Sequence, residues 1–205
     1  LSVEVKICGI TTLEDATAAL GYGADMLGFI FYSKSTRYIT PEAAGKIISA
    51  LPSTVATVGV FVDALPDTVN KTVKASGINT VQLHGDESPE ECASIRNAKV
   101  IKAFRISKRE DLADISNYSV DAILLDTYVK GTHGGTGETF DWALATEAKR
   151  YGPLILSGGL TPENISEAIR TVRPYAVDVS SGVESSPGVK VHELIKQFIE
   201  RAKSS

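Results

Sequence analysis

Asp63, His84, Arg105 and Asp126 stand 21 residues apart, each at or just past the end of a short apolar run, and Ser157 and Asp178 repeat the step. Eight such runs lie at 3–8, 26–31, 55–62, 80–83, 100–104, 122–125, 153–156 and 175–179. Most are near-continuous in Val, Ile and Leu rather than alternating, as strands covered on both faces are. Between them come helix-start signals at Thr12-Leu-Glu-Asp, Thr40-Pro41-Glu42, Ser88-Pro89-Glu90 and Thr161-Pro162-Glu163. Each offers a hydroxyl cap and an acid in the first turn, and three add a proline at the first helical position. Strands alternating with helices argue for the α/β class with a parallel sheet. A leucine-rich solenoid of that period would repeat L-x-x-L-x-L, which is absent. A doubly wound open sheet would need a Gly-rich fingerprint after the first strand, where the chain reads CGIT. The expected architecture is a single-domain TIM (β/α)8 barrel over residues 1–205, with the polar strand-end residues facing one mouth.

Composition narrows the function. A net charge of −4 gives no electrostatic case for nucleic acid or an anionic membrane. No apolar stretch approaches the roughly 20 residues of a membrane span. Cys8 and Cys92 are the two cysteines, too few for a disulfide framework, so a reducing, cytoplasmic setting is expected. The chain starts at Leu1 and its one methionine is Met26, which leaves open a removed tag, an unrecorded start or excision from a longer polypeptide.

The candidate chemistry sits at the strand ends. "LSGGL" (156–160) follows the seventh run and "DVSSGVE" (178–184) the eighth. Glycines let backbone N–H groups approach an anion closely, and hydroxyls add donors. Gly158, Gly159, Ser180, Ser181 and Gly182 are therefore expected to form a phosphate cup between the last two strands. Either motif alone would read as a tight turn; two on successive strands favour phosphate. Asp126 leaves four apolar residues, and poor hydration there would raise its pKa and suit a general acid; a helix N-cap is the plainer alternative. Asp178 invites an orienting or capping role. Cys8 is either a buried, inert thiol or a reactive one, the second requiring a nearby cation or donor. Cys92, in "SPEECASI", reads as structural. Arg37 has a planar fork suited to a carboxylate, or is an exposed surface arginine. His84 could serve as a base, but without a partner at ligand spacing it does not make a metal site, and no metal is expected. Lys102, in "VIKAF", is a candidate Schiff-base lysine of a barrel aldolase.

Together the segments VKICGIT, GFIFYSKSTRYI, VGVFVD, VQLHGDE, LLDT, GGTGETFDW, LSGGLTPENI and AVDVSSGVESSPGVK, in order from residue 5 to residue 190, resemble phosphoribosylanthranilate isomerase of tryptophan biosynthesis. The resemblance implies a cofactor-free Amadori rearrangement of a small phosphosugar substrate, N-(5-phosphoribosyl)anthranilate. It assigns Asp126 as the acid that opens the ribose ring and Cys8 as the base that takes the C2 proton. Arg37 would hold the anthranilate carboxylate, and the SGG and SSG loops the phosphate, with His84 and Asp178 among the substrate-binding residues. It leaves open fusion to, or association with, another enzyme of the same pathway. One departure is Val191, where the family usually has an aspartate; altered capping of the last helix is expected there. Two rivals stand beside this reading: the Lys102 aldolase, and a non-catalytic module that binds phosphometabolites.

Overall fold

The computed structural model describes residues 2–106, 108–126 and 142–205. Eight parallel strands close in sequence order: β1 (Glu4–Cys8), β2 (Met26–Ile30), β3 (Ala56–Phe61), β4 (Thr80–Leu83), β5 (Lys99–Arg105), β6 (Ala122–Asp126), β7 (Leu154–Ser157) and β8 (Ala176–Val179). Each coincides with one of the apolar runs. The helices between them are α1 (Leu13–Tyr22), α2 (Pro41–Ser49), α3 (Pro66–Ser76), α4 (Pro89–Ala93), α5 (Trp142–Ala148), α6 (Ile165–Val172) and α7 (His192–Lys203). A 3-10 helix, Arg109–Asn117, takes the helical place between β5 and β6. None of the described helices is long and apolar enough to cross a membrane.

Strand periodicity sorts the side chains into two cores. Val5, Ile7, Val81, Leu83, Ile123, Leu125, Leu154, Leu156, Val177 and Val179 point outward and pack under the helices. Met26, Val58, Ile101, Ala103, Leu124, Ile155 and Ala176 form a separate apolar plug inside the barrel. The same parity sends Lys6, Cys8, Gln82, His84, Asp126, Ser157, Asp178 and Ser180 inward. The 21-residue step is the spacing of these positions: Arg105 pairs in register with Asp126, and Asp126 with Ser157. Asp63 falls outside the ring, since its backbone is left-handed (φ 51°) and its carboxylate accepts from the Asp86 N–H.

The opposite end is closed by a repeated device. The residue just before β2, β4 or β6 accepts the N–H of the second residue of the preceding strand: Asp25 from Val5 (2.7 Å), Asn79 from Thr57 (3.0 Å) and Asp121 from Val100 (2.7 Å). These bonds satisfy donors at the strand starts that the ladder leaves unpaired. Lys203 of α7 joins the first bracket, donating to Asp25 (2.6 Å) and to the Val3 carbonyl (3.0 Å).

Three of the four helix-start signals act as read: Thr12, Thr40 and Ser88 each accept from the backbone of the first turn, Ser88 in a full capping box with Glu91. The fourth differs. Asn164 turns back to accept from the Thr161 N–H and to donate to the Gly159 carbonyl, while Thr161 accepts from Glu163. Those bonds make a turn of the segment, and α6 begins only at Ile165. At the last helix, Val191 stands at the N-cap and provides no side-chain bond. Replacing it with aspartate supplies the missing acceptor. Val191→Asp is expected to add about 1 kcal/mol, raising the melting temperature by roughly 2–4 °C in a chain of this size, as thermal unfolding will show.

Candidate active site

At the C-terminal mouth of the barrel a cleft of about 370 Å³ is lined by Cys8, Arg37, Gln82, His84, Asp126, Ser157, Gly158, Gly159, Asp178, Ser180, Ser181 and Gly182, among others. All ten residues singled out as catalytic or substrate-binding in the sequence are in it. Cys8 on β1 and Asp126 on β6 face the cleft from either side of the β7–β8 edge, which carries the glycine and serine loops.

Cys8 ends β1 pointing inward, almost buried. Gly28, its register partner on β2, makes the room: a Cβ there would lie 2.8 Å from the Cys8 sulfur and 3.2 Å from Lys6 Cε. Lys6, two residues earlier and on the same face, is wholly buried and bonds to Asp178 Oδ1 at 2.9 Å. Ser157 Oγ donates to the other oxygen at 3.2 Å. Asp178 is thus the counter-ion of a buried lysine and caps no helix. Burial pushes the Cys8 thiol above its ordinary value, and the Lys6 ammonium, the largest influence pulling it back, offsets only part of that. Burial likewise drives Lys6 down, but Asp178 and Cys8 together outweigh it and leave the ammonium above its ordinary value.

Arg37, in the loop after β2, reaches the cleft across Gly9. Gly9 has φ 81°, and a Cβ there would sit 2.7 Å from the Arg37 stem. The side-on edge of the guanidinium, Nε and Nη2, grips the buried Glu184 carboxylate. Lys190 bonds to the same carboxylate (2.8 Å) and to the Ser180 carbonyl (3.1 Å). Glu184 and Lys190 come from a small antiparallel hairpin, β9 (Glu184–Ser186) and β10 (Val189–Lys190). Burial opposes the charge on Glu184, yet its bonds to Arg37 and Lys190 hold it below the usual carboxylate range. The fork is therefore already engaged along one edge, leaving its end-on edge for a ligand.

Across the cleft the Gln82 amide lies 2.8 Å from His84 Nδ1, and His84 Nε2 lies 3.2 Å from Asp126 Oδ2. Gly158 (φ 88°) and Gly159 (φ 65°) adopt left-handed backbone that side chains resist. A Cβ on Gly182 would collide with the Leu160 carbonyl, so the two loops meet through glycine. Ser180 Oγ is buried and has no hydrogen-bond partner among the described residues.

Sequence reasoning passed over Lys6, Gln82, Glu184 and Lys190. A signal existed for Lys6, a charge inside an apolar run at the same parity as Cys8; Glu184 and Lys190 lie within the quoted family segments. The Gly-rich segment 128–139, including His133, lies outside the described residues. Lys102 has outward parity. Its ammonium is spent on Glu87 (3.0 Å) and the Gly85 carbonyl (2.7 Å), both away from the cleft. That placement leaves the aldolase rival without a nucleophile. Cys92 is buried in the outer core with its thiol pushed up to about 11, mainly by burial.

Fold and site define a (β/α)8 barrel of the enzyme kind, with a thiol and a carboxylate presented to one cleft at its C-terminal mouth. The family model described as N-(5'-phosphoribosyl)anthranilate isomerase matches residues 5–201, and the chain belongs to that family. It is 55% identical over 200 residues to the N-(5'-phosphoribosyl)anthranilate isomerase of Geobacter sp. (strain M21), covering 98% of each chain. The Thermotoga maritima phosphoribosyl anthranilate isomerase superposes with a TM-score of 0.92 at 49% identity, covering 99% of this chain and all of that one. A further isomerase structure (TM-score 0.89, 47% identity, 99% and 100% covered) was solved in complex with reduced 1-(o-carboxyphenylamino)-1-deoxyribulose 5-phosphate.

Breaking a buried pair away from the cleft tests the placement of Lys102. Lys102→Met strands Glu87 and is expected to cost about 3 kcal/mol of stability in urea denaturation. Turnover of the folded fraction should stay unchanged; its abolition would return the aldolase reading.

Proposed function

We propose that this chain performs the Amadori rearrangement of N-(5'-phosphoribosyl)anthranilate to 1-(o-carboxyphenylamino)-1-deoxyribulose 5-phosphate, in the cytoplasm, with Asp126 as general acid and Cys8 as general base. The carrying observation is the placement of these two proton-handling groups in one cleft, flanking the glycine–serine edge. His84 Nε2 lies 3.2 Å from Oδ2 of Asp126, which sets the ring against the acid. Asp126 delivers its proton to the ribose ring oxygen, the C1–O bond breaks, and the nitrogen lone pair forms the C1=N bond. Cys8 then removes the C2 proton, the electron pair moves toward the iminium, and the enolamine tautomerises to the ketone.

Binding sets the register of these steps. The positive-φ glycines and the unpartnered Ser180 hydroxyl support phosphate binding between the β7 and β8 loops. The end-on edge of Arg37, braced from behind by Glu184, suits the anthranilate carboxylate. The sugar then lies across the mouth between acid and base. A module that only binds phosphometabolites has no use for a thiol and a carboxylate set opposite each other.

Cys8→Ala and Asp126→Asn are each expected to stay folded and to lose about 10²–10⁴-fold in turnover, followed as loss of the substrate's anthranilate fluorescence. Near wild-type rates in either variant would remove that role. Arg37→Ala should weaken an anthranilate-bearing product analogue by about tenfold or more, as expected for loss of a charge-assisted contact. Ribose 5-phosphate should be affected much less; equal weakening in calorimetry would remove the carboxylate clamp.

A further inference from the structure

We infer that Lys6 is a positioning residue of this isomerase, an internal cation fixed by Asp178 that lowers the cost of forming the Cys8 thiolate required of a base. The inference rests on the reading of Cys8 as base and adds what makes that reading workable.

A thiol that abstracts a carbon-bound proton must first lose its own, and a buried site resists that. Lys6 is placed to answer the cost. It follows the same inward parity two residues before Cys8, and the sulfur and the lysine stem converge on the space that Gly28 leaves open. With no exposure to solvent, its ammonium is poorly screened, so its influence on a neighbouring sulfur far exceeds that of a surface lysine. It is also held in place. Asp178 is its register partner on β8, and Ser157 fixes the second oxygen of that carboxylate.

The charges around the sulfur favour one more anion. Lys6 on β1, Arg37 from the β2 loop and Lys190 on β10 are the cations; Asp178 on β8 and Glu184 on β9 are the carboxylates. His84, just past β4, and Asp126 on β6 face Cys8 from across the cleft. Three cations against two carboxylates leave one positive charge on the near wall, which a thiolate neutralises. Arg37 and Lys190 flank Glu184, and Lys6 is the cation whose charge weighs most on Cys8.

The test reads the thiolate directly. In a Cys92→Ala background, the rate of Cys8 alkylation by iodoacetamide is measured against pH, with circular dichroism to confirm folding. Lys6→Met is expected to raise the alkylation midpoint by about one unit or more, a roughly tenfold loss of thiolate at a given pH below it. At neutral pH kcat should fall in parallel, with KM changed by less than about threefold. Lys6→Arg, which keeps the cation, should restore much of the midpoint shift. Should Lys6→Met fail to fold because Asp178 is stranded, Asp178→Asn, which leaves the Lys6 charge unopposed, is expected to lower the midpoint instead. An unchanged midpoint in folded Lys6→Met, or in Asp178→Asn where Lys6→Met does not fold, would overturn the inference. With Cys8→Ala inactive, that result leaves the base assignment standing; turnover by Cys8→Ala would instead remove the base itself.

Discussion

The barrel closes on a buried ion pair. Lys6 and Asp178 belong to the first and last strands, 172 residues apart in sequence, and meet in register at 2.9 Å where the sheet joins itself. A lone charge at that depth would be severely destabilising, whereas a matched and hydrogen-bonded pair is tolerated. The pair therefore ties the seam to one register, because a one-residue slip of β8 would turn Asp178 outward and orphan the lysine. Above the seam the mouth inherits its geometry: Cys8 lies one inward position beyond Lys6, and Ser180 one beyond Asp178.

The same economy recurs around the cleft, where the lining groups are backed by partners. Glu184 holds Arg37 and is itself held by Lys190, Gln82 lies against His84, and Ser157 steadies Asp178. Such support from behind keeps reactive groups in place without requiring the substrate to order them, which is how a site achieves preorganisation. Glycines supply the complementary half of the design. Gly9, Gly28 and Gly182 occupy points where a single methyl would press on Arg37, on Cys8 or on the Leu160 carbonyl.

Most of the fold was legible because it is written in local terms. All eight strands are apolar runs, and the 21-residue step is the βα repeat seen through its inward-facing strand ends. Thr12, Thr40 and Ser88 could be read as caps because a hydroxyl before a helix has one obvious use. Thr161 misled because Asn164 competes for the same backbone, a contest decided by side-chain geometry that residue types alone do not reveal. In the site, the groups that line the cleft were readable as strand-end motifs. Lys6, Gln82, Glu184 and Lys190 were not, because their roles come from pairings across strands and from the hairpin after β8. The 3-10 segment after β5 has little helical signal of its own and takes its place from the packing of Leu112 and Ile115 against the outer core.

The Lys203 latch has a consequence for the wall of the barrel. By binding the Val3 carbonyl and Asp25, it draws the last helix onto the start of β1, at the pole opposite the cleft. The same junction that the buried ion pair fastens from within is thus buckled a second time from outside, so that fraying of α7 would loosen the first strand along with it.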